Sequence, residues 1–132
     1  MTKVFVYGSL LKGFGNHCLL EDAVFVGEAT TKPEFTMVSL GAFPGVFLDG
    51  ETPLQGEVYE VDTEQEDRLN GLEGVYKADP TQGLYRREFI TLEDGTEDIL
   101  IYIYNGSYRD DAVVESGSWR QHCSERKAQR YG

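Results

Sequence analysis

Apolar and polar positions alternate with a period of two over most of the chain, and short turn-rich gaps separate the runs. "KVFVYGSL", "FVGEATT", "EFTMVSLG", "PGVFLD", "LQGEVYEV", "RREFITLED" and "DILIYIYNG" each read as a strand bounded by Gly, Pro or Asp. The chain is therefore mostly sheet. Asp94-Gly95 within "LEDGTEDI" is a hairpin signal that pairs the last two strands. No internal repeat or low-complexity run interrupts the pattern, and no linker is long enough to divide domains.

Helical signals are few. In "VDTEQEDRLNGLEGV", Thr63 with Glu66 three residues on forms a capping box, acids crowd the first turn, and Leu69 and Leu72 share a face. Gly74 follows as a stop, so the helix is expected to end at or near Glu73. A second short helix is expected through "GNHCLLEDA", with Asn16 as its cap, and a last one in the basic tail.

Length and composition then bound the class. The chain has 132 residues, 40% of them hydrophobic, which suits one domain, 1–132, with its own core. No run reaches the roughly 18 apolar residues of a membrane span, and the amino terminus reads as a strand, so a soluble, cytoplasmic protein with no membrane partner is expected. The two cysteines, Cys18 and Cys123, are too few for a disulfide scaffold and fit reduced thiols, although a bond between them stays open.

The formal net charge is −11, from 23 acidic and 12 basic residues, which argues against nucleic acid as a partner because phosphates would be repelled. The charge is uneven. From Arg120 onward, Arg120, Arg126, Lys127 and Arg130 stand against Glu125 alone, a tail of +3 on a body of −14. Such a tail reads first as a solvated helix end and second as a contact surface.

Two stretches could carry chemistry. Glu73 directly follows Leu72 at a helix end, where a neighbouring core could enclose it; lost solvation and the negative end of the helix dipole would then raise its pKa and make it a general base near neutral pH. From the residues alone a solvated surface acid is the stronger reading. The second stretch is the end of the first strand, where Tyr7, Gly8, Ser9 and Leu10 could expose successive N–H groups at a bend, with Gly8 allowing a ligand close to the backbone. A plain strand end with a turn glycine reads equally well.

Other chemistries fit less well. "GFGNHC" lacks the third glycine of a dinucleotide fingerprint, and no Gly-Lys-Ser/Thr phosphate loop occurs, so no nucleotide cofactor is expected. His17-Cys18 and His122-Cys123 could together bind zinc only if the chain ends met, and a Cys-His nucleophile pair lacks an orienting third group. Tyr59, Tyr102 and Tyr104 read as core aromatics whose hydroxyls reach polar surroundings.

Taken in order, "VFVYGSLLKGFGNH", "FPGVFLDG", "LQGEVYEVD", "LNGLEGV", "LYRREFITL", "ILIYIYNG" and "SGSWR" resemble the successive blocks of the gamma-glutamylcyclotransferase-like proteins, in particular the gamma-glutamylamine cyclotransferase (AIG2-like) branch. The resemblance covers nearly the whole chain. It implies an α+β fold: a compact, curved, mixed, largely antiparallel sheet closing into a small barrel, with two or three short flanking helices and a pocket at one end. It also implies an enzyme that cyclises the gamma-glutamyl group of a small amine or peptide to 5-oxoproline and releases the amine. By position, Glu73 would be the acid–base residue, and Tyr7, Gly8, Ser9 and Leu10 would line the substrate. No metal or organic cofactor is implied. A pocket protein that binds a small anionic metabolite or signal molecule without turning it over is the alternative, and a partner-binding protein using its charged surfaces is a third reading. Glu73 at the matching position favours the enzyme.

Overall fold

The computed structural model describes residues 1–108 and 110–131, with the side chains of residues 111 and 128–131 left out. All seven expected strands form: β1 (Thr2–Val6), β2 (Val24–Thr30), β3 (Phe35–Ser39), β4 (Pro44–Thr52), β5 (Gln55–Val61), β6 (Tyr85–Ile90) and β7 (Ile99–Tyr104). Five make one sheet in the order β2-β5-β1-β7-β6, and β3 and β4 make a separate antiparallel ribbon. Pairing in the large sheet is antiparallel except between β1 and β7, so the sheet is mixed. β6 and β7 are joined through the Asp94-Gly95 turn as the hairpin signal predicts, with Gly95 at φ 91°.

The expected barrel does not close. Its two edge strands, β2 and β6, share no ladder; their ends meet only at the Thr31–Leu92 bridge and the Glu93 N–H to Thr30 carbonyl bond of 3.1 Å. Closure needs a continuous ladder with matched tilt and stagger. Here the register of β2 slips between Phe25 and Gly27, and the ribbon of β3 and β4 covers the face that a closed barrel would have filled with its own strands.

Alternation along the central strands divides the core in two. Phe5, Val58, Ile99, Ile101 and Ile103 pack with Phe35, Met37 and Val46 of the ribbon and with Trp119. Val4, Val6, Tyr59, Val61, Leu100 and Tyr102 point the other way and pack with Leu69 and with Leu10, Leu11 and Leu20 of the segment after β1. With both faces covered, β7 can be a nearly continuous apolar strand.

Among the described residues two α-helices form, α1 (Thr63–Leu72) and α2 (Trp119–Tyr131). The helix expected through "GNHCLLEDA" is a single 3₁₀ turn, His17–Leu20, and Asn16 makes no side-chain cap there. The capping box of α1 also lies one residue earlier than Thr63 and Glu66. The Asp62 carboxylate accepts the Gln65 N–H at 2.8 Å, and the Gln65 side chain accepts the Asp62 N–H at 2.8 Å. Asp62 has extended backbone angles, as a cap requires, and this leaves Glu66 free to pair with Arg87 of β6 at 3.2 Å.

The basic tail is largely a fastening. Arg120 on α2 donates to the Lys12 carbonyl at 2.8 Å and meets buried Glu57 at 3.3 Å, while Arg126 donates to the Gly41 carbonyl at 2.8 Å and lies over the Trp119 ring. Arg130 lies outside the described side chains.

Close β1–β5 pairing fixes where β1 ends, and Gly56 makes it possible, because a Cβ there would run into the Val6 carbonyl and the Phe5 ring. Gly56→Ala is expected to cost about 1–3 kcal/mol by overpacking against backbone. Gly15→Ala, where a Cβ meets nothing within 4 Å, should stay within about 0.5 kcal/mol. Chemical denaturation of the two variants checks the difference.

Candidate functional site

β1 leaves the sheet at Val6, and the next four residues turn under the end of α1. The carbonyls of the last three are used locally. The Gly8 carbonyl accepts from Leu11 N–H at 3.0 Å, that of Ser9 from Asn16 N–H at 3.0 Å, and that of Leu10 from the His17 ring at 2.9 Å, which makes His17 Nδ1 the protonated nitrogen. Among the described residues the N–H groups of Gly8, Ser9 and Leu10 donate to no acceptor. The Asn16 side chain donates to Ser9 Oγ at 3.0 Å and ties the far end of the turn to its start.

Gly8 is also needed for packing within the protein. Its missing side chain accommodates Pro44: a Cβ would stand 2.7 Å from Pro44 Cγ and 2.8 Å from Cδ. Pro44 is itself held, since its carbonyl accepts the Tyr85 hydroxyl at 2.7 Å.

Glu73 is the C-cap of α1. Its N–H donates to Leu69 and its carbonyl accepts from Tyr85 N–H at 3.2 Å, while Gly74, at φ 64°, reverses the chain and accepts Leu84 N–H at 3.0 Å. Gly83 permits that approach, because a Cβ there would lie 2.5 Å from the Gly74 carbonyl oxygen. The Asn105 side chain donates to the carbonyls of Pro80 and Gly83 at 2.7 and 2.8 Å, pinning the polar connection that brings the chain back to β6. The buried Asn70 of α1 accepts the Tyr102 hydroxyl at 2.7 Å, which locks the helix to β7.

These elements enclose a cavity of about 200 Å³. Tyr7, Gly8, Ser9, Leu10 and Glu73 all line it, so the two stretches singled out by sequence share one space. Asn16, Phe43, Pro44, Leu72, Leu84, Tyr85 and Tyr102 complete much of the wall. Asn16 had a signal, its polar side chain just after the strand-end motif, but it resembled a helix cap. Tyr85 sits in the "LYRREF" block, where alternation marks it as a strand residue and nothing local marks it as a pocket residue.

Burial raises the Glu73 carboxyl to a pKa of about 7. Lost solvation accounts for the shift. The phenols of Tyr7, Tyr85 and Tyr102 are also pushed up, first by burial and then by the neighbouring Glu73 charge or by one another, so they stay protonated. Their protons are committed to protein acceptors: Tyr7 to the Tyr102 carbonyl at 2.6 Å, Tyr85 to Pro44 and Tyr102 to Asn70. What these hydroxyls retain is lone pairs. The residues lining the cavity thus bring acceptors, Glu73 and the tyrosine oxygens, together with the uncommitted N–H donors of Gly8, Ser9 and Leu10. That arrangement suits a small zwitterion.

A second, larger cleft of about 440 Å³ is lined by Glu28, Glu93, Asp94, Glu57 and Arg120 among others. Its buried acid, Glu57, is fully engaged by Lys12 N–H at 3.0 Å, the Tyr59 hydroxyl at 3.0 Å and Arg120. The two His-Cys pairs do not meet: His17 is bound to Leu10, His122 stacks on Trp119, and no three His, Cys, Asp or Glu residues group as metal ligands among the described residues. Cys18 and Cys123 are free thiols.

Residues 4–121 match the family model described as gamma-glutamyl cyclotransferase, AIG2-like. The chain belongs to that family. A Vibrio cholerae protein provisionally named a gamma-glutamylcyclotransferase is 40% identical over 118 residues, covering 89% of this chain and 95% of that protein. A Niallia circulans protein named gamma-L-glutamyl-butirosin B gamma-glutamyl cyclotransferase is 28% identical over 125 residues, covering 92% of this chain and 78% of that one. Among solved structures, an uncharacterised Pyrococcus horikoshii protein superposes with a TM-score of 0.78 at 26% identity, covering 97% of this chain and 98% of that chain.

Since an added Cβ at Gly8 would push Pro44 from the cavity wall, Gly8→Ala is expected to cost about 1–3 kcal/mol in stability. Ser9→Ala loses one side-chain hydrogen bond and should cost about 0.5–1.5 kcal/mol, with the backbone donors intact. Denaturation midpoints of the two variants check the order.

Proposed function

We propose that this protein is a gamma-glutamyl cyclotransferase acting on a small gamma-glutamyl amine or peptide, with Glu73 as the proton-transfer residue and the turn from Tyr7 to Leu10 as the substrate cradle. The observation that carries the reading is the raised carboxyl of Glu73 in one cavity with three unpaired N–H groups, in a chain of this family.

In this reading the alpha-carboxylate lies against the N–H groups of Gly8, Ser9 and Leu10, and the alpha-ammonium faces Glu73 and the tyrosine oxygens. Glu73 takes a proton from the ammonium, and the freed amine attacks the gamma-carbonyl carbon. A ring C–N bond forms, and the bond to the leaving amine breaks. Glu73 returns its proton to the departing nitrogen, and the second proton that the ring nitrogen sheds on becoming an amide passes by the same carboxyl to the released amine, which leaves as an ammonium, so one carboxyl serves every transfer. The cyclisation is intramolecular, and holding the glutamyl chain folded supplies much of the acceleration. Donors on the cradle side stabilise the oxyanion as it develops. Every atom of 5-oxoproline comes from the substrate, and the residues named supply the proton transfers.

Two measurements test the assignment. Glu73→Gln should lower 5-oxoproline formation from a gamma-glutamyl amine by at least about 10²-fold while the protein stays folded. In the wild type, kcat/KM should rise with pH through an apparent pKa near 7, set by the free carboxyl. Full activity in the Gln variant would remove Glu73 from the mechanism, and absence of turnover in the wild type would favour a binding pocket.

The same shift has a consequence for folding. A carboxyl that titrates near 4.5 when unfolded and near 7 when folded binds its proton more tightly in the folded state. Its contribution to stability is complete below about 4.5, is lost as pH rises towards 7, and is constant above that. Glu73→Gln should therefore melt higher than the wild type at pH 8, and the gap should narrow steadily towards pH 5. Melting curves of both proteins across that range check the sign.

A further inference from the structure

The mouth of the cavity is apolar. Phe43, Leu72 and Leu84 line it while remaining 37%, 39% and 47% exposed. Scattered exposed apolar residues are ordinary. Here three of them come from separate segments, the turn before β4, the last residue of α1 and the connection before β6, and converge on one opening. The arrangement is built in. Leu84 N–H to the Gly74 carbonyl at 3.0 Å and Tyr85 N–H to Glu73 at 3.2 Å hold Leu84 beside the end of α1, and Gly74 provides the close approach, since a Cβ on it would lie 3.2 Å from that of Leu84.

Charge at the opening is also one-sided. No Lys, Arg or His is among the described residues that line the cavity, and its one ionisable carboxyl, Glu73, is committed to the glutamyl amine in the reading above. The free N–H donors at the strand end suffice for one carboxylate. A second carboxylate, carried by the leaving group of a gamma-glutamyl peptide, would rest on Phe43, Leu72 and Leu84 with no cation among the described lining residues, in a chain of net charge −11.

We propose that the mouth selects gamma-glutamyl derivatives of amines whose substituent is apolar and bears no carboxylate, and that Phe43, Leu72 and Leu84 determine this specificity. The proposal rests on the cyclotransferase reading for the direction in which the leaving group points. An alkyl substituent gains by covering these side chains, at about three- to fourfold in affinity per fully buried methylene. A carboxylate at the same distance loses its hydration and gains no partner.

A matched pair of substrates tests this: gamma-glutamyl-n-butylamide and gamma-glutamyl-4-aminobutanoate, which extend to similar lengths and differ in the terminal carboxylate. With gamma-glutamyl-methylamide as the short reference, kcat/KM for 5-oxoproline release should be about tenfold or more higher for the butylamide than for either of the others. In Leu84→Lys the ratio of butylamide to aminobutanoate should fall at least about fivefold, because a cation then faces the carboxylate. Equal or reversed preference in the wild type overturns the proposal, as does an unchanged ratio in the Lys variant. If none of the three yields 5-oxoproline, the cyclotransferase reading fails by itself, and calorimetric binding of the same compounds judges the mouth. Tighter binding of the butylamide upholds the selectivity, and equal or absent binding of the pair overturns it.

Discussion

The site depends on the desolvation of a single carboxyl group. Left to itself, a glutamate at the exposed end of a short polar helix would turn to water and titrate with the other acids of this strongly negative chain. Glu73 does not have that freedom, because its backbone is bonded on both sides, by its own N–H to Leu69 and by its carbonyl to Tyr85 at the start of β6. The helix end is therefore sewn to the sheet, and the side chain faces a wall of tyrosines. The cost of burying the charge is what raises the pKa to about 7.

The surroundings keep that cost in place. Tyr7, Tyr85 and Tyr102 each spend their one hydroxyl proton on a protein acceptor, so none is free to donate to Glu73 and lower its pKa again. The same bonds tie β1 to β7, β6 to Pro44, and β7 to α1. The strand-end backbone supplies donors, since Gly8, Ser9 and Leu10 have spent their carbonyls on the turn and kept their N–H groups. Acceptors and donors brought together in one small space follow from these hydrogen bonds, and in the proposed reading they meet the zwitterionic head of the substrate.

Much of this was legible in the sequence, for local reasons. Period-two alternation gave the seven strands, and the same alternation sorts Val4 and Val6 from Phe5 onto opposite faces. Gly74 marked the end of α1, and the order of motif blocks pointed to Glu73 and to residues 7–10. What could not be read was decided by partners distant in the chain. Two overlapping capping boxes are written at the start of α1, and the one that forms lets Glu66 reach Arg87. Gly8 faces Pro44, 36 positions away, and Asn16 serves Ser9 instead of a helix. The barrel stays open because β2 slips register and the β3–β4 ribbon takes the remaining face. Phe43 and Leu84 belong to connections, where no periodicity exists to assign them a direction.

The most direct test is to titrate Glu73 itself. Carbon-13 NMR of the side-chain carboxyl, assigned by its loss in Glu73→Gln, reports the group without reference to any substrate. A midpoint near 7, well separated from the other acids, is the result expected if burial has prepared a base at this position. A midpoint near the ordinary value of about 4.3 would mean that water reaches the carboxyl, and the central claim would be wrong.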